Sequence, residues 1–103
     1  MASETASWQL ELGGEIVARL TGDEVDFPWT YATLIDAATF DRFRRYFSDE
    51  ETWPDTPQFD ALLAEVQAKG GFVLRNLRTG ESFGSVRLHQ EGNTVWFRYG
   101  ELI

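Results

Sequence analysis

The chain has 103 residues and a formal net charge of −8. That length fits one domain with a single core and excludes large layered enzymes such as the eight-stranded α/β barrel of about 250 residues. Hydrophobic residues make up 43% and charged residues 25%, the balance of a folded globule, and the absence of cysteine excludes disulfides, thiolate catalysis, zinc fingers and iron–sulfur clusters.

Residues 1–7 lack a basic segment followed by an apolar one, so they read as a flexible N-terminus and not as a secretion signal. One folded domain is expected over residues 8–103. No apolar run approaches the ~20 residues of a membrane helix, so no membrane partner and a cytoplasmic location are expected.

Trp8, Leu10 and Leu12 alternate with Gln9 and Glu11, the period of a strand. Gly13-Gly14 is a hairpin signal, and Glu15 to Leu20 is the return strand. Residues 21–24 predict a second turn. Val25, Phe27, Trp29, Tyr31, Thr33 and Ile35 then alternate through a third strand. Pro28 inside it cannot donate to a ladder, which implies an edge or a bulge.

A helix follows, capped by Asp36 or Thr39, with Phe40, Phe43 and Phe47 on one face. Ser48 to Thr56 is a polar, acidic loop holding Trp53-Pro54. A second helix has Thr56 as N-cap and Pro57 as its first residue. Its apolar stripe is Phe59, Leu62, Leu63 and Val66, and Gly70-Gly71 ends it. Phe72 to Leu77, Ser82 to His89 and Thr94 to Tyr99 return to strands. Thr79-Gly80 and Glu91-Gly92-Asn93 are the turns between them. The order βββ-αα-βββ predicts an α+β domain, an antiparallel sheet of about six strands with two helices packed on one face.

Charge is uneven along the chain: −7 over residues 1–41, +3 over 42–45, −6 over 46–68 and +2 over 69–103. Internal pairing of acidic with basic segments accounts for much of this. The acidic total argues against nucleic acid, whose recognition needs a basic field.

Few motifs carry chemistry. Gly80-Glu81-Ser82-Phe83-Gly84 matches G-x-S-x-G, but it spans a hairpin turn and a strand start, where a nucleophile elbow needs strand, turn and helix. Lys69-Gly70-Gly71-Phe72-Val73 faintly echoes an RNA-binding strand, in the wrong element order. Asp49, Glu50, Glu51, Asp55 and Asp60 could attract a divalent cation. Trp53 and Pro54 interrupt the spacing such a loop needs, so a solvated loop accounts for them better. No phosphate loop occurs, and no metal, cofactor or catalytic residue is assigned. His89 is the lone histidine.

Two groups stand out. In the last hairpin, Val86, Leu88, Val95, Phe97 and Tyr99 share the core face. That leaves Arg87, His89, Trp96 and Arg98 on the other, a patch suited to an anionic ligand. Asp26, Trp29 and Tyr31, with Trp53 in the loop, could form an aromatic docking surface, although the alternation of Phe27, Trp29 and Tyr31 favours pointing all three into the core. The leading expectation is a non-catalytic binding module. It would engage a protein partner or a second copy through a strand edge or aromatic patch, its acidic surface steering basic partners. The alternative is an anionic-ligand or enzymatic site on the uncovered sheet face.

Overall fold

The computed structural model describes residues 6–36, 38–48 and 50–103. The segment 1–5, Ala37 and Asp49 lie outside the described residues, as does the side chain of Asp36 on which its candidate capping role rests. Among the described residues, no helix is long and apolar enough to cross a membrane.

The domain is α+β, with an element order that differs from expectation. Strands β1 (Trp8–Leu12), β2 (Glu15–Asp26) and β3 (Trp29–Asp36) come first. A 3₁₀ helix (Phe40–Phe47), a 3₁₀ turn (Glu50–Thr52) and the α-helix α1 (Pro57–Ala68) follow. Strands β4 (Phe72–Asn76), β5 (Ser82–Phe83), β6 (Arg87–Glu91) and β7 (Thr94–Arg98) complete the chain. All seven strands form one antiparallel sheet in the order β5-β4-β1-β2-β3-β7-β6.

Three departures have physical causes. The expected turn at 21–24 is a bulge: β2 runs on to Asp26, and its register against β3 shifts between Thr21 and Glu24, where Gly22 takes φ +97°. The turn falls instead at Phe27-Pro28, which are joined by a cis peptide; Pro28 lies between two strands and interrupts neither. The first helix is 3₁₀, and Thr39 is helical without a side-chain cap bond. Its three phenylalanines nonetheless all reach the core.

The third departure sets the shape. The single strand expected over 82–89 breaks at Gly84-Ser85, where Ser85 adopts φ +52°. Its halves, β5 and β6, pair with opposite edges of the sheet. Four residue steps from Phe83 to Arg87 span at most about 14 Å. A flat seven-stranded sheet would hold its edges about 29 Å apart. The sheet must therefore curl into a half-barrel.

The concave face holds the core. Trp8, Leu10, Leu20, Leu34, Leu74, Val95 and Phe97 are each buried to 5% exposure or less, joined by Phe40, Phe43 and Phe47 of the 3₁₀ helix and Val66 of α1. α1 starts as its sequence predicts: Thr56 Oγ1 accepts from the Phe59 amide at 3.2 Å, and Pro57 opens the first turn. Arg42 pairs with Glu65, which also accepts from Lys69 at 3.0 Å. This ties the basic block to the acidic one. The two cations hold the Glu65 carboxyl down at about 2.

Candidate interaction site

The outer face of the half-barrel brings the two predicted groups together. On β3 the small and aliphatic residues Thr30, Ala32 and Leu34 point inward and are buried. Trp29 and Tyr31 therefore face out, because successive side chains alternate. Pairing of β3 with β7 sets Tyr31 opposite Trp96, and pairing of β7 with β6 sets Trp96 opposite His89. The three residues form one row across three strands. Tyr31 stacks on Trp96 with ring centroids 6.2 Å apart, and Trp96 stacks on His89 at 5.8 Å. Trp29 reaches over to meet His89 edge-on at 5.3 Å. All four residues are half-buried.

Arg87 lies directly opposite Arg98 beside this row. The Arg98 guanidinium sits over the Trp29 ring, 5.1 Å from its centroid, a cation–π contact that fixes its position. Among the described residues neither arginine has a carboxylate within ion-pair distance. Like charges opposed across strands are unfavourable, so this end of the sheet carries uncompensated positive charge in an acidic protein. Asp26 is exposed at the hairpin beyond Trp29, its cross-strand partner.

Trp53 is not part of the row. It packs on Tyr46 and Phe59 and donates from Nε1 to the Ser48 carbonyl at 3.2 Å. It stands across a groove from β6. That groove, about 550 Å³, is lined by Tyr46, Glu50, Trp53, Val86, Leu88 and His89 among others. Burial, then the nearby Glu50 charge, raise the Tyr46 phenol above its ordinary value of 10 and keep it neutral. A second cavity, about 570 Å³, lies beside Arg87, Arg98, Tyr99 and the tip of the β2–β3 hairpin. At that tip Val25 is 68% and Phe27 90% exposed.

The groove follows an open sheet edge. The two edges of the sheet are treated differently. β5 is two residues long and is covered by residues 101–103: Phe83 bridges Leu102, Gly84 N–H donates to the Glu101 carbonyl, and Ile103 N–H to that of Ser82. β6 has five residues, and no described strand pairs with its far side. The β6–β7 hairpin turns on Gly92-Asn93, with Gly92 at φ +61°, as a type II′ turn requires. Glu91 and Thr94 close such a turn as a hydrogen-bonded pair, and bonded and non-bonded pairs then alternate. Leu88 and Gln90 therefore turn their N–H and C=O away from β7, towards the open side. The 3₁₀ helix packs beside β6 and is tied to its hairpin end: Arg44 donates to Gln90 Oε1 and to the Gly92 carbonyl, both at 2.9 Å, and its own carbonyl accepts from Gln90 Nε2 at 3.4 Å.

Sequence reasoning placed Arg87, His89, Trp96 and Arg98 on one face and had Trp29 and Tyr31 as a separate cluster; strand order unites them. It missed the open backbone of Leu88 and Gln90, Tyr46 in the groove wall, and Glu91 at the end of β6. Only Glu91 carried a signal, as it shares the outer face of its strand with Arg87 at even spacing. Among the described residues, no group of three or more histidine or acidic side chains converges as a metal site would need. No family model, no curated protein and no solved structure matches the chain.

Proposed function

We propose that this protein is a non-catalytic, cytoplasmic binding module that takes an extended segment of a protein partner onto the edge of β6. The single observation behind this reading is the five-residue edge of β6, which no strand among the described residues pairs, running beside an aromatic-walled groove, while the opposite edge is short and covered. An open edge is a template for strand addition: backbone bonds supply affinity, and alternate side chains supply selectivity. Leu88 and Gln90 would give the backbone bonds. Tyr46, Trp53 and Val86 would receive inward-facing apolar side chains, and the row of Trp29, Tyr31, His89 and Trp96 would extend the contact outward. The acidic remainder of the surface favours partners with a basic field.

The test compares three baits in capture from native cytosol, followed by amide exchange on the purified complex. Gln90→Pro removes an edge N–H at a position where proline is tolerated. Gln90→Ala removes only the side-chain bonds to Arg44. A stoichiometric partner kept by the wild type and Gln90→Ala, lost by Gln90→Pro, and protecting the Leu88 and Gln90 amides supports the proposal. A partner that protects α1 or the β1–β4 half instead overturns it.

A second reading rests on Arg87 and Arg98, two guanidiniums without ion-pair partners among the described residues, beside a cavity that also offers Tyr99, Phe27 and Pro28. It is a small anion with an aromatic body. Screening aromatic carboxylates and phosphates by chemical-shift perturbation tests it; shifts confined to other residues would count against it.

A further inference from the structure

We infer that the segment β6 receives is the β6 strand of a second copy, paired antiparallel about a two-fold axis at His89. This rests on the strand-addition reading and names its partner.

Two independent features of the strand agree on this arrangement. The first is hydrogen-bond parity. The open backbone groups belong to Leu88 and Gln90, so only registers that pair even-numbered residues can form bonds. Setting His89 against the His89 of a second copy makes Leu88 bond Gln90, and Gln90 bond Leu88. All five residues of β6 are then used. The Arg44 bonds occupy the Gln90 side chain and the Gly92 carbonyl and leave the Gln90 backbone free for this role.

The second feature is charge. In that register Arg87 of each copy lies opposite Glu91 of the other, in a close, non-hydrogen-bonded pair, and both side chains are exposed on the outer face. Arg87, with no ion-pair partner within its own chain among the described residues, gains one. Shifting the register by two residues in either direction sets Arg87 or Glu91 against His89 and loses the match. Continuity adds a third argument. The row Tyr31–Trp96–His89 of one copy would meet the same row of the other at the axis, giving a single aromatic band across both sheets.

Each copy carries a charge of −8, so long-range repulsion opposes association. Screening over about 8 Å at physiological ionic strength leaves the contact pairs as the local determinant. A five-residue strand contact is small beside a standard interface, so a weak dimer is expected.

Sedimentation velocity from micromolar to near-millimolar protein, in 0.15 M NaCl, tests the inference. The wild type should pass from monomer towards a species of twice the mass. Arg87→Glu and Glu91→Arg, each alone, place like charges together at both pairs and should weaken association at least tenfold. Mixing the two variants restores both pairs within a heterodimer, so the equimolar mixture should associate as the wild type does. Far-UV circular dichroism of each variant confirms that the fold is kept. A strict monomer, a dimer indifferent to both charge reversals, or a mixture that fails to recover overturns the inference. If the chain is monomeric but a captured partner protects Leu88 and Gln90, this inference falls and strand addition stands. If a dimer protects some other surface, both fall.

Discussion

On the β1–β4 half of the outer sheet face, Arg75 Nε donates to Glu11 Oε2 at 2.8 Å, and Gln9 Nε2 donates to the same oxygen at 2.7 Å. On the β7–β6 half, Arg87 faces Arg98, and no carboxylate among the described residues pairs with either. The two halves belong to one sheet and one chain. One closes its charges internally; the other leaves them open and surrounds them with aromatic rings. Glu11 is 8% exposed, so its charge needs the partner it has. Arg87 and Arg98 are exposed and keep their hydration, which lets the fold tolerate their opposition. A surface built for solubility alone gains nothing by opposing two arginines across a hairpin. An interaction surface gains a charge available to a partner.

The contrast can be broken first by mutation. Glu11→Gln keeps shape but loses the charge-assisted bonds to Arg75, and should cost about 1 kcal/mol in urea unfolding at pH 7. Arg87→Ala should fall within about 0.5 kcal/mol of the wild type, with any change in the stabilising direction, since it relieves a like-charge pair. A larger loss for Arg87→Ala than for Glu11→Gln would reverse the assignment of the two halves.

The same comparison has a pH signature. The hydrogen bond from Arg75 holds the Glu11 carboxyl below its ordinary 4.5, against a smaller opposing effect of burial. A carboxyl whose pKa is lower in the folded state stabilises fully above its unfolded value and loses that contribution as pH falls through the folded one. The stability gap between wild type and Glu11→Gln should therefore be constant from pH 7 to about 5, then close as the pH drops below 4.5. Glu65 titrates in the same acid range, but it is common to both proteins and cancels in the difference. A gap that persists to pH 2 would mean that the introduced amide, and not the lost charge, causes the defect.

Much of this was readable in advance, for reasons that particular residues make plain. Alternation told inside from outside in the last hairpin, because Leu88, Val95 and Phe97 on one face put Arg87, His89, Trp96 and Arg98 on the other. The α1 start was written in Thr56 and Pro57. What alternation cannot contain is strand order. Nothing local to Trp29 or Trp96 says that β3 and β7 are neighbours, and nothing local to Glu11 points to Arg75. Alternation misled at β3: it favoured Phe27, Trp29 and Tyr31 for the core, yet Thr30 and Ala32 take it and Trp29 and Tyr31 stay out. It also hid the break at Gly84-Ser85: the run 82–89 looks continuous, yet a single positive φ at Ser85 sends its halves to opposite edges. That break closes the half-barrel and leaves β6 as the open edge.

The smallest effect probes the open half directly. If Arg87 and Arg98 form a place for an anion, sulfate should stabilise the folded chain beyond its general salting effect. Binding to the native state adds RT ln(1 + [L]/Kd), which is about 0.4 kcal/mol when sulfate equals its dissociation constant. For a domain of this size that is about 2–3 °C in the unfolding midpoint. Exclusion of sulfate from the surface raises stability as well, but it acts almost equally on an Arg87→Ala/Arg98→Ala variant of the same size. The informative quantity is therefore a difference of differences: sulfate against chloride at equal ionic strength, wild type against the double variant. An excess of a degree or more for the wild type locates an anion at the opposed arginines. Equal shifts in both proteins would leave the pair as two solvated charges, and the aromatic row and the β6 backbone as the only features that distinguish this half of the face.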